Sequence, residues 1–319
     1  MGSESQNRIQ IIDLSKEIER GSQEWIEVSK RVREACEDYG CFEVICEQIS
    51  SQLREEIFSL TNKLYLLPME IKKKNTNSNP FMAYASPNPV IPLLESFGIE
   101  DASNYESIKG FAQLMMADDP LAEDHFCKTF NTLVKPLHDL HQTIRNLIVD
   151  SYGIGDKPET VATMGTQTLL RMMKYKPPPP GEDILGAYAH TDKPLCTLLC
   201  QDECTGLEIA TKDGQWFQWL PTHPNSFIFN VGDPLMAWSN GRLHSMKHRV
   251  SMKGDKERHS IAAFLFPVKG AIIKPEEELI DDNHPPMFKE FVHSEYLKFC
   301  NTKDPTVDSD QLVYKYAGI

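Results

Sequence analysis

The chain lacks any apolar run long enough to cross a bilayer, any paired-cysteine motif and any excess of basic residues, and each absence removes a class of function. A spanning helix needs about 20 consecutive apolar residues, so no membrane partner is expected. Thirty-three Lys and Arg stand against 46 Asp and Glu, a formal net charge of −13. Phosphate backbones are bound by basic faces, so no nucleic-acid partner is expected either. The eight cysteines (Cys36, Cys41, Cys46, Cys127, Cys196, Cys200, Cys204, Cys300) form no CxxC pair. Cys196, Cys200 and Cys204 recur every fourth residue, looser than structural zinc sites favour, and free, mostly buried thiols in a reducing compartment are the expectation. The first residues, MGSESQNR, carry neither the apolar segment of a signal peptide nor an Arg-rich amphipathic stretch. Met1-Gly2 begins like a myristoylation signal, but Gln6 stands where Ser or Thr is needed. A cytoplasmic monomer is expected, and no internal repeat or low-complexity tract is visible.

What is present is the composition of a soluble globular protein, 40% hydrophobic and 25% charged. At 319 residues one main core with an appended region is expected, since β-rich domains often stay single at this size. Residues 9 to 14 (IQIIDL) read as a short strand. Trp25, Val28, Val32, Ala35, Cys36 and Tyr39 then recur at helical spacing up to Gly40. CFEVI (41 to 45) is rich in strand formers, and residues 51 to 66 return to helix before Pro68. The Asn-, Pro- and Ser-rich stretch 75 to 110 reads as a long irregular connection of the kind that forms lids. Residues 120 to 152 are helical, with Pro136 predicting a kink or a break. Beyond Thr166 short strands alternate with turns: Asp213-Gly214 predicts a two-residue hairpin, and residues 226 to 231 and 260 to 266 predict buried strands. A helical stretch is expected near Pro286 to Phe299.

The chemistry concentrates in the β-rich part. In AYAHTDKPLCTLL, strand alternation places His190 and Asp192 on one face. An imidazole and a carboxylate with a third ligand from a distant strand form a facial triad that leaves coordination positions open, as oxygen-activating non-haem iron requires. His248, in NGRLHSMKHRVSM, is the candidate third ligand, and His244 the nearby competitor. A 2-oxo acid bound at the metal through its keto acid end leaves its far carboxylate unpaired, which an Arg fork satisfies. Arg258 and Ser260 present guanidinium and hydroxyl on one face. An HxD triplet alone is not diagnostic; the later His and the RxS make the combination specific. His138 and His141 read as packed or solvated rather than metallated, and Arg249 as half of a structural ion pair on the opposite strand face.

HTD at 190 to 192, NGR…HRV at 240 to 250 and RHS at 258 to 260 resemble the plant 2-oxoglutarate and Fe(II)-dependent dioxygenases. The resemblance covers nearly the whole chain, from IQIIDLS and ACEDYGCFEV through LLPMEIKKKN to PPMFKEFVHSEYLKF. LLESFGIED, MKYKPP, GLEIATKDGQW and AWSNGRLHS are most similar to the branch of glucosinolate-side-chain and auxin-oxidising enzymes. It implies a mainly β fold with flanking helices, a double-stranded β-helix or jelly roll. Residues 1–120 would form an N-terminal region of helices, first strands and substrate-entry loops, and 121–319 the core, with catalytic motifs within 166–268 and a C-terminal helix. His190, Asp192 and His248 would bind Fe(II), and Arg258 and Ser260 the distal carboxylate of 2-oxoglutarate. Arg258 lies ten residues past His248, as the family pattern requires. Two departures stand out. Met173-Lys174-Tyr175-Lys176-Pro177 replaces the usual Asn-Tyr-Tyr-Pro, leaving Tyr175, Lys174 or Lys176 as the 2-oxoglutarate contact, with Tyr175 preferred. Cys46-Glu47-Gln48 replaces an Asn-His-Gly.

The implied activity is an oxidation using O2 and 2-oxoglutarate, supported by ascorbate, that releases succinate and CO2. Outcomes could be hydroxylation, demethylation or desaturation, while Asp192 argues against halogenation. The expected partner is a small, largely hydrophobic specialised metabolite such as an alkaloid or indole compound, with an auxin- or gibberellin-type acid as the alternative. Phe264 is a candidate substrate contact that could equally be core; Phe97 and Met116, with Met115, are further candidates for which core packing is favoured. A catalytically silent jelly-roll binding protein is opposed by the intact ligand set. A zinc hydrolase is opposed by the lack of a general base beside the site.

Overall fold

The computed structural model describes residues 9–155, 157, 160, 165, 167–304, 306 and 312–319. The segment on which the N-terminal targeting expectations rest, 1–8, lies outside them. The strands are β1 (Ile11–Asp13), β2 (Cys41–Ile45), β3 (Leu94–Ile99), β4 (Gln167–Tyr175), β5 (Ile184–His190), β6 (Cys196–Gln201), β7 (Leu207–Ala210), β8 (Trp216–Gln218), β9 (Ser226–Val231), β10 (His248–Met252), β11 (Arg258–Phe266), β12 (Ile272–Ile273) and β13 (Phe291–Val292). The helices are α1 (Gln23–Asp38), α2 (Ser51–Tyr65), α3 (Met69–Lys72), α4 (Tyr105–Met115), α5 (Pro120–Ser151), α6 (Asp233–Trp238), α7 (His293–Asn301) and α8 (Leu312–Ala317).

Two sheets carry the molecule. A seven-stranded sheet runs β1-β2-β9-β6-β11-β4-β3, and a four-stranded sheet runs β5-β10-β7-β8. All pairings in them are antiparallel except β1 with β2, which gives the expected jelly roll. β1, β2 and β3 belong to the large sheet, so residues before 120 contribute strands to the core. Leu169, Leu199, Ile228 and Phe264 of the large sheet pack against Leu207 and Ile209 of the small one. The opposite face of the large sheet is covered by helices: Leu170, Met172, Ile261 and Leu265 share one cluster with Phe126, Phe130, Leu137 and Ile144 of α5 and Val32 of α1. A strand buried on both faces reads as a continuous apolar run, which is why residues 261–266 (IAAFLF) of β11 are uniformly hydrophobic.

Helix starts follow side-chain capping. Ser22 accepts from the Trp25 amide at 3.1 Å and Ser50 from Leu53 at 3.2 Å. Asp119 accepts from Ala122 at 3.0 Å, with Pro120 at the first helical position. Four expectations are corrected. The stretch 75 to 110 contains β3 and the start of α4; Asn75 clasps the sheet edge by bonding the Gly98 backbone at 2.9 and 3.2 Å. Pro136 does not divide α5, because Phe130, Leu133, Val134, Leu137 and Leu140 are buried on both sides of it and hold one 32-residue helix. The Asp213-Gly214 turn is longer than two residues: Thr211 and Gln215 close it through a 2.8 Å backbone bond, and Gly214 takes φ +85°. The C-terminal helix begins at His293, after β13. All eight cysteines are free, six of them buried, as expected. Among the described residues no helix is long and apolar enough to cross a membrane.

His141, inside α5, is fully buried and neither ring nitrogen has a partner. Burial, with His138 nearby, pushes its pKa down to about 3. A group depressed in the folded state leaves stability intact above its unfolded pKa near 6.5, and stability is lost below that as the unfolded chain takes up a proton. His141→Leu is therefore expected to be more stable than wild type at pH 5 by roughly 2 kcal/mol from this linkage. The gain should shrink to the packing difference at pH 8, as read from paired urea titrations.

Candidate metal centre

Cross-strand register brings the centre together. β5 and β10 pair antiparallel with His248 opposite His190, and the two rings lie 4.2 Å apart, centroid to centroid. Asp192 follows on the segment leaving β5. His190 Nε2 and His248 Nε2 stand 4.0 and 3.8 Å from Asp192 Oδ1. These are too long for hydrogen bonds, yet the three donor atoms lie within 4.8 Å of one another. This is the one metal-capable group of its kind among the described residues, and it does not include His244.

Each ligand is oriented from behind. His190 Nδ1 meets the Tyr188 carbonyl at 2.7 Å, and His248 Nδ1 meets that of Met246 at 3.2 Å. A carbonyl only accepts, so both Nδ1 atoms carry the proton and both Nε2 lone pairs face the centre. Burial and the adjacent His248 push the His190 pKa down to about 4, which keeps that imidazole neutral at neutral pH. Thr197 Oγ1 donates to Asp192 Oδ2 at 2.6 Å, leaving Oδ1 toward the histidines. Asp192 is 5% exposed. A buried carboxylate beside two imidazoles whose Nε2 atoms face it is a donor set suited to a divalent cation, which would balance its charge.

The second half of the site is on β11, whose alternation sends Arg258, Ser260, Ala262 and Phe264 between the sheets. Arg258 is fully buried. Its Nε and Nη2 donate to Gln201 Oε1 at 3.2 and 2.9 Å, and Nη1 to Ser260 Oγ at 3.2 Å. Tyr175, its cross-strand partner on β4, lies with its ring 5.2 Å from the guanidinium carbon. Two glycines make room: a Cβ at Gly206 would come within 2.9 Å of Arg258 Cδ, and one at Gly186 within 2.6 Å of Tyr175 Cδ1. No carboxylate forms an ion pair with Arg258 among the described residues.

The structure sorts the other candidates by strand parity. Lys174 points to the opposite face, where it pairs with Glu257 at 3.2 Å, and Lys176 is exposed. Tyr175 alone of the three reaches Arg258. Phe97 is not at the pocket: its position on β3 sends it into the helix-side core against Tyr65, Tyr84 and Phe111. Met115 and Met116 belong to the same helix-side cluster. Phe264 does face inward, opposite Thr197 on β6, and meets Phe81 edge to face at 5.3 Å. Arg249 turns outward to Glu208 at 2.6 Å, and His138 and His141 lie on α5, away from the centre. Sequence reasoning missed Thr197 and Gln201. Both fall on the inward period of β6, a signal available once Cys196–Gln201 is read as a strand.

The 2OG-Fe(II) oxygenase superfamily matches over residues 166–267, and the family described as non-haem dioxygenase in morphine synthesis N-terminal matches over residues 9–92. The chain is 37% identical to an Arabidopsis thaliana protein named "Probable 2-oxoglutarate-dependent dioxygenase AOP1.2", covering 93% of this chain and 92% of the relative. The crystal structure of dioxygenase for auxin oxidation in rice superposes with a TM-score of 0.79 at 29% identity, covering 97% of this chain and 100% of that one. The Arabidopsis thaliana dioxygenase for auxin oxidation 1, as a binary complex with 2-oxoglutarate, superposes with a TM-score of 0.75 at 30% identity, covering 87% and 99%.

Removing the Thr197 hydroxyl frees the Asp192 carboxylate to rotate. Loss of such an outer-shell partner commonly weakens metal affinity by about 10- to 100-fold. Thr197→Val should fall in that range by competitive Mn(II) titration, with the thermal midpoint of the metal-free protein little changed.

Proposed function

Because the chain belongs to the 2OG-Fe(II) oxygenase superfamily, whose members are oxidoreductases using Fe(II) and 2-oxoglutarate, we propose specific roles for its own residues. His190, Asp192 and His248 hold the iron, Arg258 and Ser260 hold the distal carboxylate of 2-oxoglutarate, and Tyr175 walls that end of the pocket. The substrate is a small, largely apolar metabolite. The observation that carries this reading is the convergence of the three donor atoms within 4.8 Å on the same interior as a fully buried, carboxylate-free guanidinium.

Iron held by His190, Asp192 and His248 would supply the oxidising power to break a C–H bond, through the oxidative decarboxylation of 2-oxoglutarate by O2 to succinate and CO2. The chain contributes position. The two imidazoles and Asp192 would hold the metal through three donor atoms, and the positions they do not fill would be open to co-substrate and O2. Gln201 Oε1 clamps Nε and Nη2 of Arg258, so the guanidinium plane is fixed before the carboxylate arrives and little ordering is lost on binding. Tyr175, Met173 and Phe264 keep the interior apolar around these charges and exclude bulk water. Two structural relatives are named for auxin oxidation, which supports an indole-type molecule as the first substrate to test, under the same reaction whether the outcome is hydroxylation, demethylation or desaturation.

Purified protein with Fe(II), ascorbate and 2-oxoglutarate under air should form succinate, and formation should stop on chelation and in His190→Ala. Arg258→Ala should raise the KM for 2-oxoglutarate about 10- to 100-fold, the worth of a charge-assisted pair. Turnover that survives chelation removes the metal assignment. An unchanged KM places the carboxylate anchor elsewhere.

A further inference from the structure

Of the three donor residues, sheet register places two. His190 and His248 stand opposite each other on β5 and β10, whereas Asp192 sits beyond the end of β5, outside the ladder. Its position is set by residues 231–233, where β9 passes into α6. The Gly232 amide donates to the Leu195 carbonyl and the Asp233 amide to the Asp192 carbonyl, both at 2.8 Å. On the other side, the Val231 carbonyl accepts from the Met246 amide at 3.3 Å, and Asp233 Oδ1 accepts from Ser245 Oγ at 2.7 Å. Met246 is the residue whose carbonyl orients His248. Three consecutive residues thus splint the turn carrying Asp192 to the segment that delivers His248. A Cβ at Gly232 would overlap the Pro194 carbonyl oxygen, so only a glycine lets the turn lie this close.

The Asp233 carboxylate is the centre of the splint. It is completely buried. Besides Ser245 it takes Lys193 Nζ at 2.7 Å and the Tyr296 hydroxyl at 2.5 Å, both on Oδ2. Lys193 follows Asp192 directly, and its ammonium also reaches Thr191 Oγ1 at 2.9 Å. The lysine balances the buried charge and the hydroxyls fill the remaining acceptor sites. Asp233 is accordingly not part of the metal-capable group; its hydrogen bonds are spent on holding its neighbours.

The splint is finished from far along the chain. Tyr296 and His293 lie three residues apart on one face of α7. While Tyr296 reaches Asp233, His293 Nε2 donates to the Lys193 carbonyl at 2.9 Å. Tyr296 is itself fully buried, in a cluster with Met236 and Ala237 of α6, Phe291 and Val313. We infer that Asp233 is a positioning residue for the metal centre and that Tyr296 anchors it, so that docking of the C-terminal helix sets Asp192 against His248 and thereby the affinity for the metal. This rests on the assignment of His190, Asp192 and His248 as metal ligands, and adds the residues that keep their donor atoms within reach of one ion.

The test is competitive Mn(II) titration of the metal-free protein, with its thermal midpoint measured alongside. Tyr296→Phe keeps the ring and removes one donor from Asp233; it should weaken Mn(II) about three- to tenfold, less than the full loss of an outer-shell partner. Asp233→Asn keeps the shape and loses the charge, and should weaken Mn(II) about tenfold or more. Tyr84→Phe is the matched control, since it also takes a tyrosine hydroxyl from a buried carboxylate, that of Glu95 at 2.6 Å, at the β3 edge of the large sheet. Its Mn(II) affinity should stay within about twofold of wild type whatever happens to the midpoint. Saturating Fe(II) should restore succinate formation by Tyr296→Phe, because the defect lies in metal uptake. The inference is overturned if Tyr296→Phe or a folded Asp233→Asn binds Mn(II) within about twofold of wild type, if Tyr84→Phe loses as much affinity as Tyr296→Phe, or if excess Fe(II) leaves Tyr296→Phe inactive. Should Asp233→Asn not fold, Tyr296→Phe decides alone. Failure of the metal assignment is separate and visible: wild type would take up no Mn(II), or His190→Ala would take it up equally well.

Discussion

Strand β11 satisfies two opposed environments at once, and the rest of the molecule is arranged around that demand. Its odd-numbered residues Ile261, Ala263 and Leu265 face a helix layer, while Arg258, Ser260, Ala262 and Phe264 face the other sheet. A one-residue slip would carry the guanidinium into the apolar helix layer and the leucine into the site. Register is therefore fixed from both flanks: β4 pairs with all nine residues of β11 and β6 with six. The long helix α5 seals the apolar side, and its continuity through Pro136 follows from the burial it must supply along that whole strand.

The interior left between the sheets is chemically unfinished. Buried polar groups in folded proteins are nearly always paired, and two buried acids away from the centre show how this chain does it. Glu43, almost fully buried, accepts from the Thr222 amide and hydroxyl at 2.7 and 2.6 Å and from Ser226 Oγ. Lys72 and Glu95 pair at 2.8 Å, with the Tyr84 hydroxyl on the same carboxylate at 2.6 Å. Against that background stand a carboxylate beside two imidazoles whose Nε2 atoms face it, and two buried guanidiniums, those of Arg171 and Arg258, with no acid paired to them among the described residues.

Much of this was legible in the sequence because the decisive signals have short periods. His190 and Asp192, or Arg258 and Ser260, need only strand alternation to share a face, and strand alternation is local. Parity across strands was not legible. Phe97 and Phe264 are both phenylalanines in apolar strands, but β3 and β11 present them to opposite sides of one sheet, which only the register Phe97↔Met172 and Phe264↔Leu169 reveals. The same holds for Arg171, which in QTLLRMMKY is one charged residue in a run of apolar ones. The 75 to 110 stretch misled for a different reason: its prolines and asparagines mark the turns around β3, and β3 itself, with Gly98 and Glu95 inside it, draws its stability from Asn75, Lys72 and the edge of β4 rather than from β-propensity.

Both arginines follow from one construction. A strand that carries an inward Arg must keep the guanidinium from folding back onto its own sheet, and here each is held by a neighbour that takes only part of its hydrogen-bonding capacity: Gln201 for Arg258, Ser96 for Arg171. A carboxylate in either neighbour's place would neutralise the cation. A neutral amide or hydroxyl fixes orientation and leaves the charge available. Gln201 on β6, beside β11, and Ser96 on β3, beside β4, therefore do for the two guanidiniums what Tyr188, Met246 and Thr197 do for the metal ligands: each spends part of the group on orientation.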